Sequence, residues 1–226
     1  MDLFRALPAL RRHPLLADKN IALVGVSTII GDEGHLYFEV TKPKYWHRPQ
    51  GEAGPTTVGL GGIVGGIRQG EEVLACLRRE VREELGVAVR LERPPRTYLL
   101  DEWRVVAELH LPPDRKRPVP LMVILTPPRL GGPGMPDRLA IVTLSTRLRG
   151  EPSPRDLFGM LRVARPALGE FFARDEWPLA EAAAHPDVAV TLNGPPPPNA
   201  VLRPVLTGRA FQILLRAGHD WEAVRP

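Results

Sequence analysis

Glu80, Glu83 and Glu84 stand at i, i+3 and i+4 within GGIRQGEEVLACLRREVREELGV, residues 65–87. The spacing predicts a helix over residues 71–85 with the three carboxylates on one face. Leu74, Leu77, Val81 and Leu85 fall on a second face, roughly 110° away at ~100° per residue, and suit a core. On this reading no cation interrupts the acidic stripe. Like charges on adjacent turns lower helix stability by a few tenths of a kcal/mol per pair. A hard divalent cation such as Mg²⁺ reverses that sign, because it is bound by carboxylate oxygens and water. Gly65, Gly66 and Gly70 allow a tight loop into the helix N-terminus, where free N–H groups favour anions. Gly86 stands where a helix end takes a left-handed residue. The competing reading of these polar residues is a solvated, ion-paired helix surface.

The spacing G-x5-E-x7-R-E-[VIL]-x-E-E-x-G-[VIL] is filled at every fixed position, from Gly65 through Glu71, Arg79, Glu80, Glu83, Glu84 and Gly86 to Val87. Chance agreement in a chain of this length is on the order of 10⁻⁷ at average residue usage. The segment resembles the box of the Nudix hydrolase family. That resemblance implies a Nudix-type α/β/α sandwich with a mixed β-sheet. It also implies hydrolysis of a nucleoside diphosphate linked to another group, by attack of water on phosphorus. Carried over residue by residue, Glu80, Glu83 and Glu84 match the carboxylates that hold Mg²⁺ or Mn²⁺. Glu80 also matches a candidate general base. Arg79 and Glu71 match positions that support the loop and helix, together with Gly65 and Gly86. One departure precedes the box: family members usually carry a Gly-Gly pair there, and this chain has Val64 before Gly65. A valine carbonyl can still serve a metal, but valine resists positive φ.

The composition is that of an ordinary globular protein: 226 residues, 43% hydrophobic and 25% charged. The length suits one domain with an appendage. The net charge of +4 with a pI near 9.6 is modest and is not by itself a nucleic-acid footprint. Cys76, the single cysteine, excludes an internal disulfide and reads as a small buried hydrophobe. No apolar run is long enough to span a bilayer. The first twenty residues, broken by Arg5, Pro8, Arg11 and Arg12, make a poor signal peptide and read as a short helix or arm packed on the domain. The expected setting is cytoplasmic.

Around the box, residues 21–30 and 35–41 flank turn chemistry at 31–34 and predict a β-hairpin. Residues 42–57 form a Pro- and Gly-rich loop with Lys42, Lys44, Tyr45, Trp46, His47 and Arg48 close together. Lys44, Trp46 and Arg48 are candidates for a substrate wall, with a ring stacking on a base and cations meeting phosphate. The alternative is a solvated loop with Trp46 tucked back on the core. Residues 58–64, 88–91, 96–111, 121–126 and 138–148 read as strands, and 112–120 and 127–136 as loops. After the strand at 138–148, Asp156 and Glu151 are candidates for an acid outside the box, each with a competing role as a turn or cap residue.

The expected organisation is an N-terminal arm (1–20), a Nudix core (21–168) and a C-terminal helical extension (169–226). The extension has a break at Pro178, a strand near 187–192, a proline spacer at 194–198 and an amphipathic helix from about Thr207. It is expected to cap the site or to form a homodimer contact. Two other functions compete with hydrolysis. A non-catalytic nucleotide-binding regulator on the same fold would be expected to lack a box carboxylate, and none is missing. An isomerase of diphosphate esters would call for a further acid or base in the pocket. The expected partner is a small nucleoside diphosphate derivative, with no membrane and no nucleic acid; no residue pattern selects among such derivatives.

Overall fold

The computed structural model describes residues 1–48, 54–112, 117–128 and 135–222. The loop expected at 127–136 therefore lies largely outside the described residues, as do parts of those at 42–57 and 112–120.

The chain opens with the helix α1 (Leu3–Ala6), then β1 (Ile21–Gly31) and β2 (His35–Val40), which pair antiparallel as the hairpin pattern predicts. β3 (Thr56–Gly61) and β4 (Ile63–Gly66) lead into α2 (Val73–Leu85). β5 (Ala88–Glu92), β6 (Thr97–Asp101), β7 (Arg104–Leu109), β8 (Met122–Thr126) and β9 (Arg138–Arg149) follow. The segment expected as one or two strands at 96–111 is two, turned at Glu102 and Trp103, which both take positive φ. Beyond these come β10 (Gly159–Ala164), α3 (Leu168–Ala173), β11 (Trp177–Pro178), α4 (Leu179–Ala184), β12 (Val188–Leu192), β13 (Ala200–Pro204) and α5 (Thr207–Arg216).

The strands form one mixed sheet with the order β11-β13-β3-β2-β1-β9-β8-β6-β7. β1 and β9, the two long strands, run parallel through its middle. β4 leaves this path to pair with β1, β5 pairs with β9, and β10 bridges β2 and β12. Both faces of the sheet are covered. α1 and α2 pack with Ile21, Leu23, Val26, Val123 and Val142 on one side. α3 and α5 pack with Phe38, Leu60, Leu100, Ile124 and Leu161 on the other. This is an α/β/α arrangement, as expected. No helix among the described residues is long and apolar enough to cross a membrane.

The C-terminal part adds strands as well as helices. β13 lies parallel to β3, with Ala200 opposite Thr56 and Pro204 opposite Leu60, so it extends the sheet directly. The expected break at Pro178 holds: α3 stops before it and α4 starts after it. The N-terminal arm buries Leu3, Leu7, Leu10 and Leu16.

Candidate active site

The expected helix is present, starting two residues later than its pattern suggests, at Val73. Leu77, Val81 and Leu85 are buried beneath it and Leu74 packs at the margin. The start of the box is held against the sheet by β4, where Val64 pairs with Ser27 and Gly65 with Val26. Val64 is an ordinary strand residue and is not among those with positive φ, so the departure from Gly-Gly leaves the local backbone extended. Gly65 is needed for space: a Cβ there would overlap the Glu80 side chain. Cys76 is fully buried, with Sγ 3.6 Å from the Gly66 carbonyl, and burial pushes its thiol up to about 12. It is a packing residue, as the sequence suggests.

The end of α2 is capped by Gly86, at φ 69°, whose N–H donates to the Arg82 carbonyl 3.1 Å away. The next free carbonyls, of Glu84 and Leu85, accept from the backbone N–H groups of Arg155 (2.7 Å) and Ser153 (3.0 Å). Helix ends leave such carbonyls without partners, and the chain after β9 supplies them. This brings Asp156 to the carboxylate end of the helix. A Cβ on Gly86 would strain the left-handed backbone and collide with the Arg155 guanidinium. Gly86→Ala is therefore expected to cost about 1–2 kcal/mol or more. Thermal denaturation should show a melting temperature lower by roughly 2–8 °C.

The acidic stripe requires a correction. A cation does interleave it: Arg79 lies across the helix start with its guanidinium shared among several acceptors. Nε and Nη2 donate to Glu71 at 2.8 and 3.0 Å, Nη2 donates to the Gly66 carbonyl at 3.1 Å, and Nη1 reaches Glu80 and, at 3.3 Å, Glu83. The fork geometry of arginine allows this multiple pairing. These hydrogen bonds, with a backbone N–H from Arg68, pull Glu71 down to about 2. The three box carboxylates do not share one environment. Glu83 is about half exposed and also faces Arg68 at 3.7 Å. Glu80 is mostly covered and held by Arg79. Glu84 is 9% exposed, and its Oε2 is buried with no hydrogen-bond partner.

Glu39, on β2 and outside the box, lies close enough to Glu84 for their charges to interact. Along β2 the side chains alternate: Leu36, Phe38 and Val40 join the core under α5, while Tyr37 joins the core under α2. Glu39 has the parity of Tyr37 and so lies on the α2 side of the sheet. It is only 7% exposed and makes no side-chain hydrogen bond to another described residue. Burial pushes Glu39 up to about 7, opposed by the charge of Lys42. Burial pushes Glu84 up to about 9, reinforced by the charges of Glu39 and Glu80. A lone acid at an inward position of an otherwise apolar strand, HLYFEV, is the signal that could have found it. Lys42 lies beside this pair, with Nζ 2.9 Å from Asp156; that hydrogen bond holds the lysine above its usual value.

Both raised carboxylates make the fold bind protons more tightly than the unfolded chain does. Their cost is absent below the ordinary value of 4.5 and grows as pH rises toward about 7 and about 9. Each tenfold difference in proton affinity is worth ~1.4 kcal/mol. In metal-free protein the melting temperature should accordingly fall across that window, by roughly 5 °C or more. Differential scanning calorimetry in chelator over this pH range checks the sign.

The substrate-wall candidates are not gathered at this point. Trp46 is tucked back: its indole N–H donates to the Thr41 carbonyl at 2.7 Å and its ring packs edge-on to Phe158 at 4.9 Å. Lys44 rests over the exposed Tyr45 ring, and Arg48 and Glu151 are exposed. Among the described residues, no three His, Cys, Asp or Glu side chains stand in an arrangement ready to hold a metal. The reason is visible in the geometry: Arg79 holds Glu80 and Glu83 points outward. The unpartnered buried oxygen of Glu84, with a second buried carboxylate beside it, nonetheless fits a hard divalent cation in charge and donor type.

Comparison with curated proteins yields no match. Solved structures similar to the chain include a NUDIX hydrolase from Nitrosomonas europaea (15% identity, TM-score 0.33, 60% of this chain and 65% of that one). They also include a hydrolase of the NUDIX family from Clostridium perfringens (15%, 0.38, 65% and 83%). A MutT NUDIX hydrolase from Burkholderia pseudomallei is a third (20%, 0.29, 60% and 74%). The chain thus spans just under two thirds of the first of these structures. The family model described as NUDIX domain matches residues 35–156, from β2 through the box to the acid that follows α2's cap. That match covers more than half of the sequence, and the chain belongs to the NUDIX domain family.

Proposed function

We propose that the protein is a divalent-metal-dependent pyrophosphohydrolase acting on a nucleoside diphosphate linked to another moiety, with water attacking a phosphorus. The observation that carries this reading is Glu84: a complete box delivers its last carboxylate into a buried position with one oxygen unpartnered. Leaving such an oxygen unpaired is costly, and a group kept at that cost calls for a reason beyond the fold. Membership of the NUDIX domain family supports a hydrolase of this general kind.

Glu84, Glu83 and Glu80, with the Val64 carbonyl, are the groups that would hold Mg²⁺ or Mn²⁺. When bound, the metal neutralises the pyrophosphate charge and lowers the pKa of the attacking water. The protein's own contribution is positioning. The clamp from Arg79 to Glu71 and the Gly66 carbonyl locks the loop onto the helix start. Gly65 lets Glu80 lie flat against β4. Glu80, or Asp156 outside the box, is the group that would take the proton of the incoming water. Lys42, on the loop after β2, lies beside Asp156, Glu84 and Glu39 and would supply positive charge toward the phosphates. Trp46 supports this loop from below instead of stacking on a base.

The test is product release. With Mg²⁺, a panel of sugar nucleotides, dinucleoside polyphosphates and nucleoside triphosphates should yield nucleoside monophosphate from at least one class. Tight nucleotide binding without any monophosphate would instead identify a binding protein on this fold.

A further inference from the structure

We propose that Glu39, on β2 and outside the box, is a ligand of the same divalent cation, so that the ion is gripped between sheet and helix instead of by α2 alone. The inference rests on the metal-dependent reading above and extends it to a residue that the box does not contain.

Three observations carry it. The alternation of β2 turns Glu39 to the α2 side, the side on which Glu84 is buried. Its neighbours across the sheet are Gly61 on β3, which brings no side chain, and Met160 on β10, which brings no hydrogen-bond donor. Glu39 is 7% exposed without a side-chain hydrogen bond to another described residue, and the facing Glu84 has a buried oxygen in the same condition. A buried carboxylate kept for structure is expected to have a donor. Glu84 has a buried oxygen without one, with the charge of Glu39 beside it, and Lys42, the cation whose charge reaches both, is engaged by Asp156 at 2.9 Å. Oxygen donors from both a strand and a helix give the multiple hard ligands that Mg²⁺ and Mn²⁺ take alongside water.

The experiment is a calorimetric titration of Mn²⁺, without nucleotide, into the full chain and into Glu39→Gln and Glu39→Asp, with melting curves in chelator. Glu39→Gln is expected to weaken Mn²⁺ binding at least about tenfold. Its metal-free melting temperature is expected to be equal to or above that of the parent, since the amide removes a charge facing Glu84. Glu39→Asp keeps the charge but withdraws it by one methylene, and is expected to weaken binding too without depending on how the amide folds. Unchanged affinity in both variants overturns the assignment of Glu39 while leaving the box reading intact. A lower metal-free melting temperature with unchanged affinity makes Glu39 a structural residue and also overturns it. Absence of Mn²⁺ uptake by the parent chain would refute the metal reading itself, and this proposal with it.

Discussion

Glu84→Gln is expected to lower metal-dependent turnover by at least about 10²-fold while the metal-free protein becomes more stable at alkaline pH. The first figure is a lower bound, because losing even a residue that orients a metal ligand costs 10–100-fold. The second follows from burial. Glu84 is 9% exposed, faces Glu39 and Glu80, and is pushed up to about 9. Its ionised form is costly in the fold, and glutamine keeps the shape without the charge. The sign separates function from architecture. A carboxylate kept for the fold lowers the melting temperature when removed; one kept for a cation raises it in chelator and abolishes the gain on adding Mn²⁺. Melting curves with and without Mn²⁺, together with initial rates, measure both. Unchanged turnover would refute the assignment.

Arg79→Ala is expected to damage the protein differently. The guanidinium is mostly covered and serves Glu71, Glu80, Glu83 and the Gly66 carbonyl at once. Its removal leaves two largely covered carboxylates and a carbonyl without their donor. Breaking a buried pair by deleting one partner costs ~3–5 kcal/mol, and the residual exposure of this network places the expectation near the lower end. The melting temperature should fall by roughly 6–12 °C. Turnover should fall as well, because Glu80 and the loop before α2 lose their anchor. Arg79→Lys would not restore either, since an ammonium cannot serve the fork of acceptors. Full rescue by lysine would argue that charge alone matters there.

Local patterns in the sequence were sufficient for α2, the β1–β2 hairpin, α5 and the break at Pro178. Each rests on periodicity, glycine at a cap, or proline, and these act within a few residues. Gly86 illustrates it: its left-handed conformation follows from helix termination alone. What was not legible depends on distant partners. β13 is a strand because β3 lies beside it, and nothing within residues 200–204 specifies a parallel neighbour. β10 is short and owes its place to β2 and β12. In the sequence the acidic stripe looks free of cations, because Arg79 is one residue from Glu80 along the chain and off its face. Its side chain, however, folds back over the loop to Glu71. Glu39 carries a local signal, as a lone acid at an inward position of β2, but its significance arises only when β2 and α2 come to the same side of the sheet. Trp46 is ambiguous in the sequence because Phe158, on which its ring packs, lies far along the chain.

The most direct measurement is turnover in ¹⁸O-labelled water on the best substrate of the panel, with Mg²⁺ and with chelator. The account predicts one labelled oxygen on a phosphorus of the products, only with the divalent ion present, and none above background for Glu84→Gln. Equal turnover in chelator, or products whose phosphates carry no label, would contradict it.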